Sequence, residues 1–200
     1  MTTATAPPKT PTQRRFTVEE YYQMAETGVL PEEENVELLD GQIYLMSPIG
    51  SEHAACVRRL NRFFHSKIES QAFVGVQNPI RLSDISEPEP DLALLSPRED
   101  EYATHHPGPD DVLLIVEVAD SSLDFDQETK LPLYARAGIA EYWVVALGEN
   151  QVHVYHTPEG TQYTKHTTYG PDEEAAVAAL PSLDPVSVDQ ILGGQSETSR

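Results

Sequence analysis

Glu117 stands between Val116 and Val118 at the end of an apolar run, Val112-Leu113-Leu114-Ile115-Val116, whose composition is that of a strand buried on both faces. Burying an ionised carboxylate without a partner costs several kcal/mol or more, so this position calls for a cation, a hydrogen-bond network or a raised pKa. Three residues could join it. Lys130 follows in Asp126-x-x-x-Lys130, Asp91 opens Asp91-Leu92-Ala93-Leu94-Leu95 directly after Pro90, and Glu37 lies in Val36-Glu37-Leu38-Leu39. If the Asp91 and Glu117 strands are neighbours, their carboxylates can share one divalent cation. Oxygen donors with no Cys pair and no His spacing favour Mg²⁺ or Mn²⁺ over structural zinc. A lysine beside such an ion can favour the hydroxide form of bound water or steady the charge growing on a phosphoryl group.

The elements that would position these residues follow from local signals. Strand 112–118, a polar loop, Lys130, the helical pattern Leu131-x-Leu133-Tyr134-x-x-Ala137 stopped by Gly138, and the strand Glu141–Val145 read as a βαβ crossover. Asp40-Gly41 predicts a hairpin between 36–39 and 42–46, and 72–76 with 79–82 predict a second one. Prolines 88 and 90 hold the entry to the Asp91 strand extended. Thr17-Val18-Glu19-Glu20 matches a capping box that opens a helix through Glu26. From Ser51 to about Ser70 the period is helical, with Ala54, Val57, Leu60, Phe64 and Ile68 on one stripe. Off that stripe lie Arg58, Arg59, Arg62 and Lys67, a basic cluster that could contact phosphates or simply face solvent. His53, in the first turn, could be an accessory ligand, a proton carrier or a capping-region residue.

Other signals are weaker. Adjacent His105 and His106 in the polar loop 96–109 would diverge in an extended chain. His153, His156 and His166 fall on strands 151–155 and 162–168, joined by a turn at Pro158-Glu159-Gly160, and read as surface residues. Asp120, Asp124 and Asp126 read as loop acids, Asp126 with Lys130 or Arg136 in reach. Trp143 reads as core, and residues 187–192 as a short closing helix.

At 200 residues and 39% hydrophobic composition the chain is long enough for one domain with a substantial core. No apolar stretch approaches the roughly 20 residues of a membrane span. Residues 1–15, without an apolar segment, read as a disordered tail and not a secretory signal, and 193–200 as a flexible one. The lone Cys56 permits no internal disulfide and fits a reducing cytoplasm, with helix packing as its expected role. Acids outnumber bases 33 to 13, for a formal charge of −20. That balance opposes a broad electrostatic nucleic-acid surface, although divalent ions or a local basic strip could offset the repulsion.

Taken in order, Val36-Glu37-Leu38-Leu39-Asp40-Gly41-Gln42-Ile43, Pro90-Asp91-Leu92-Ala93, Val116-Glu117-Val118-Ala119-Asp120-Ser121-Ser122, Asp126-x-x-x-Lys130, Tyr134-Ala135-x-x-Gly138 and Glu141-Tyr142-Trp143 resemble the Uma-two family of restriction-endonuclease-like proteins, a branch of the PD-(D/E)XK nuclease superfamily. The likeness covers about residues 16–192, taken as one nuclease-like domain. It implies an α/β (α+β) fold, a mixed four-stranded core sheet flanked by helices, with extra antiparallel hairpins. It also implies Mg²⁺- or Mn²⁺-dependent phosphodiester cleavage, with DNA as partner and a homodimer as assembly. On that pattern Asp91 is the bridging ligand, Glu117 the second ligand, Val118 a backbone-carbonyl ligand and Glu37 a supporting acid. Ala119 stands where the motif's lysine belongs, which leaves Lys130 as the candidate lysine. An inert binding module on the same fold, or a hydrolase of small phosphoesters, are the rival functions.

Overall fold

The computed structural model describes residues 12–31, 33–68 and 70–194. The expected tails through residue 11 and from 195 lie outside them. Arg15 sits at the start of the described chain, its guanidinium 2.7 Å from the Asp40 carboxylate.

Helix α1 (Val18–Glu26) opens with the expected capping box: the Thr17 hydroxyl accepts from the Glu20 N–H, and Glu20 accepts from the Thr17 N–H. Strands β1 (Val36–Leu39) and β2 (Gln42–Leu45) form the Asp40-Gly41 hairpin as a separate antiparallel pair. Both turn residues have positive φ, as the tight turn requires. After α2 (Ser51–Lys67) come β3 (Phe73–Gly75), β4 (Leu92–Leu95) and β5 (Val112–Ala119). A helical crossover follows, made of α3 (Leu123–Phe125), a π-turn over Asp126–Lys130 and α4 (Leu131–Ala137). Strands β6 (Glu141–Ala146), β7 (Gln151–Glu159) and β8 (Gln162–Tyr169) complete a six-stranded mixed sheet in the order β3-β4-β5-β6-β7-β8. The β5–β6 pair is parallel and every other pairing in that sheet is antiparallel. The two-stranded pair β9 (Glu174–Ala175) and β10 (Val186–Ser187) and helix α5 (Val188–Leu192) close the fold.

The sheet is covered on both faces. On one, Cys56, Val57, Leu60 and Phe64 of α2 pack with Leu114, Val116, Val118 and Trp143; on the other, Tyr134 and Ile139 pack with Ile115, Ala119, Tyr142 and Val144. Because strand side chains alternate, Glu117 shares the crossover face with Ile115 and Ala119. Burying Leu114, Ile115, Val116 and Val118 contributes about 1.5–3 kcal/mol each, enough to carry one desolvated carboxylate into the middle of the sheet. Gly138 ends α4 at φ +83°, its N–H and that of Ile139 closing onto Ala135 and Tyr134, which turns the chain directly into β6.

Several local expectations are corrected. Residues 79–82 form no strand, and the expected second hairpin is absent: β3 pairs with β4, with Phe73 opposite Leu95, because the sheet edge offers a longer apolar partner than a segment led by Pro79. The mixed central sheet with flanking helices and antiparallel hairpins is as expected, the sheet reaching six strands in all. The β7–β8 turn lies at Gly160, and Pro158 is inside β7. His153 is buried, held by Glu149, Thr168 and His166, whereas His166 is exposed and stacks on Tyr155. The polar loop expected before Lys130 is helical from Leu123.

Candidate active site

Strand register brings the first two acids together. Leu92 pairs with Val116 in the antiparallel β4–β5 ladder, so one further step puts Asp91 opposite Glu117. Past Pro90, the Asp91 side chain takes over from the ladder: its Oδ2 accepts the Val118 N–H at 2.9 Å, and its own N–H points at Glu117 Oε2 at 3.4 Å. His53 Nε2, from the first turn of α2, lies 2.9 Å from Asp91 Oδ2, and the Gln77 amide donates to Oδ1 at 3.2 Å. Gln77 is held in the left-handed region at φ +51°, its N–H bonded to the Pro90 carbonyl. A non-glycine residue there marks a position fixed by its surroundings.

The crossover supplies the cation. Lys130 Nζ lies 2.9 Å from Glu117 Oε1 and 3.3 Å from both oxygens of Glu37 on β1. One helical turn on, the Tyr134 hydroxyl donates to the same Glu117 oxygen at 2.7 Å. Residues 130 and 134 thus share one helix face, aimed at the strand. The π-turn widens the helix at Asp126–Lys130, a local irregularity frequent at functional sites, and the Tyr142 hydroxyl bonds the Asp126 carbonyl there. Asp126 is buried and not a surface loop acid; its carboxylate accepts from Ser122 at 2.7 Å. Lys130 belongs to the interior of a helical segment, so the unfavourable meeting of a positive charge with a helix start does not arise.

These groups line a cavity of about 720 Å³ whose wall carries six carboxylates, Glu37, Glu89, Asp91, Glu117, Asp120 and Asp126, against Lys130 and His53. Gly50, the N-cap of α2, and His53 bring the positive end of that helix to the cavity. Charge imbalance in a buried space shifts the acidities of its groups. Burial pushes the Glu117 carboxyl up to about 8, with Asp126, Asp91 and Glu37 adding to the rise against the pull of Lys130. Burial likewise raises Glu37 and Asp126, again opposed by Lys130. For Lys130 burial works against the charge, but Glu117, Glu37 and Asp126 outweigh it and hold the ammonium protonated. The hydrogen bond to Asp91 raises His53 against its burial. Two buried polar atoms here, Glu37 Oε2 and His53 Nδ1, lack a hydrogen-bond partner.

Among the described residues no group of three or more His, Cys, Asp or Glu side chains is arranged to hold a metal ion. The donor chemistry nevertheless suits a divalent cation: hard oxygens in excess, and more negative charge than one lysine offsets.

Comparison with known proteins places the chain. Residues 18–189 match Uma2, a family described as "Putative restriction endonuclease". The chain belongs to the Uma2 family. A search of curated proteins gave no match. Among solved structures, the chain resembles a "putative nuclease belonging to DUF820" from Anabaena variabilis ATCC 29413, with a TM-score of 0.71 and 19% identity over 89% of this chain and 98% of that one. At that identity the likeness shows a shared fold.

Of the residues singled out in this Uma2 chain, Asp91, Glu117, Val118, Lys130, Glu37 and His53 all line the one cavity. Arg58, Arg59 and Arg62 do not line it. Arg59 donates instead to the carbonyls of Ile191 and Leu192, at 3.3 and 3.2 Å, fastening α5 to α2. Tyr134, Gln77 and Asp126 join the site beyond the residues expected in it. Tyr134 carried a signal, its i+4 spacing from Lys130, whereas nothing near Gln77-Asn78-Pro79 announces a partner for Asp91.

Proposed function

We propose that this chain is a divalent-metal-dependent endonuclease that hydrolyses phosphodiester bonds of DNA. The observation that carries the proposal is the contact between Lys130 and Glu117 beside Asp91, which restores through a crossover helix the acid–lysine pairing that Ala119 removes from the strand. Asp91, Glu117, the Val118 carbonyl and Glu37 would hold Mg²⁺ or Mn²⁺. When bound, such an ion supplies Lewis-acid stabilisation of phosphoryl charge and makes water more acidic. Lys130, kept protonated by its carboxylate neighbours, does not take up a proton; its ammonium orients the attacking water and stabilises charge on the phosphoryl oxygens. Tyr134 fixes the carboxylate that Lys130 meets, and His53, bonded through Nε2 to Asp91, holds that second carboxylate in place.

Cleavage of single- and double-stranded DNA in Mg²⁺, Mn²⁺ or EDTA, alongside Glu117→Ala, tests the proposal. The variant is expected to be at least about 100-fold slower, and equal nicking by both proteins would sink the assignment. One observation favours a second reading, an inert binding module: both oxygens of Asp91 and both of Glu117 are already engaged by protein donors. Calorimetric titration separates the two, since absence of Mg²⁺ and Mn²⁺ uptake at millimolar concentration favours the inert module.

A further inference from the structure

The cavity lining is mixed in chemistry: besides the acids it includes Tyr44, Leu45, Met46, Pro48, Ile49 and Phe125. Leu45 is 68% exposed and Ile49 49% exposed, two of only four large hydrophobic residues so displayed among the described residues. The hairpin does not need Leu45 for its own packing, which is done by the fully buried Leu38 and Leu39. Behind them the Tyr44 and Phe125 rings meet at 5.2 Å, bracing β2 against the crossover. Isolated exposed apolar residues are ordinary, but a cluster at the mouth of a polar cavity marks a binding surface.

Charge decides what kind. Among the described residues that line the cavity, Lys130 is the sole lysine or arginine, and its ammonium is held by Glu117 and Glu37. A groove that follows a duplex draws its affinity from cations placed on successive phosphates. This cavity offers none and repels phosphate with six carboxylates, so a strand bound here must gain its affinity through its bases. Bases present their faces only where they are unpaired, and apolar or aromatic side chains are what they stack on. The volume, about 720 Å³, is that of a pocket for a small ligand and not of a channel for a duplex.

We propose that the site takes single-stranded DNA, with an unpaired base against Leu45, Ile49, Tyr44 and Phe125. The assignment of this strand as substrate rests on the nuclease proposal; its binding does not.

Fluorescence anisotropy on the full chain, with Ca²⁺ replacing Mg²⁺ to suppress cleavage, tests it against three probes: an oligodeoxythymidine, a blunt duplex of equal length, and an oligonucleotide with abasic central positions. The thymidine strand is expected to bind about tenfold tighter than either of the others. A Leu45→Ser/Ile49→Ser variant, whose changes fall on exposed positions, is expected to lose about tenfold toward the thymidine strand and nothing toward the abasic one. Circular dichroism confirms that the variant is folded. Equal or tighter duplex binding, equal abasic binding, an unaffected variant, or no detectable binding of any strand would each overturn the proposal. Incubation of the same strands with Mn²⁺ separates the two proposals. Base-dependent binding without cleavage leaves this one standing and removes the nuclease, whereas cleavage with no base dependence does the reverse.

Discussion

Lys130→Met removes the ammonium from the buried cluster while keeping most of the side-chain volume. In the native protein that ammonium lies 2.9 Å from Glu117 and 3.3 Å from Glu37, with all three residues almost wholly buried. Removing one partner of a buried ion pair leaves uncompensated charge and costs about 3–5 kcal/mol. For a chain of this length, roughly 2–4 °C per kcal/mol converts that into a fall in Tm of roughly 6–20 °C. The remaining carboxylates can recover part of the loss by holding protons. Glu117 is already pushed up to about 8 with Lys130 opposing the rise, so removing the lysine raises it further. A folded state that binds protons more tightly than the unfolded chain is favoured at low pH, so the deficit should be larger at pH 8.5 than at pH 5.5. Thermal unfolding followed by circular dichroism in EDTA at the two pH values measures both quantities. Adding Glu117→Gln to Lys130→Met should restore part of the lost stability, because it removes the charge left stranded. A single variant that melts within about 2 °C of the parent at both pH values would refute the buried ion cluster and the role assigned to Lys130 with it.

Mg²⁺ or Mn²⁺ should raise the Tm, by about 2.7 kcal/mol of added stability at a hundredfold excess over Kd, with EDTA reversing it and Asp91→Asn abolishing it in differential scanning calorimetry. Tyr134→Phe deletes one donor to Glu117 and should cost about 1–3 kcal/mol in chemical denaturation, while lowering kcat for DNA cleavage more than it alters KM. Glu141 offers a pH test outside the cavity: it is buried at the start of β6, bonded by the Trp143 indole N–H at 2.7 Å and the Ala178 N–H at 2.8 Å. Burial pushes it up to about 7 against those two bonds, whereas the unfolded chain titrates near the ordinary glutamate value of 4.5. Its contribution is therefore full below the unfolded value and is lost as pH rises toward 7, a fall of roughly 3 kcal/mol that Glu141→Gln should flatten in urea titrations between pH 4.5 and 8.

Much of the site was legible locally. A carboxylate inside an apolar strand declares itself by its cost, Pro90 before Asp91 declares an extended entry, Asp40-Gly41 declares a hairpin, and Gly138 ends a helix because it tolerates a φ of +83°. Such signals arise from a residue's own conformational limits and immediate neighbours, so they survive without knowledge of the rest of the fold. The strand order around β5 and β6 follows from the same patterning, since a parallel pair needs a crossover and the chain supplies one.

What local pattern could not decide was which distant groups meet. The second arm of the supposed hairpin at 79–82 has acceptable strand residues, but sheet pairing is a competition, and β4 wins β3 because its side chains are buried along their whole length. Asp126 and Asp120 look alike in the sequence; a π-turn then carries one of them into the interior. Gln77 meets Asp91 only because a left-handed residue bends the chain there, and Arg59 reaches the end of α5. The sequence by itself determined that Glu117 needed a partner and that Lys130 followed within the next crossover. Only the tertiary structure decided that the partner is Lys130, shared with Glu37 from a hairpin 93 positions away in the chain, because packing of the crossover helix against the sheet sets the reach of its side chains.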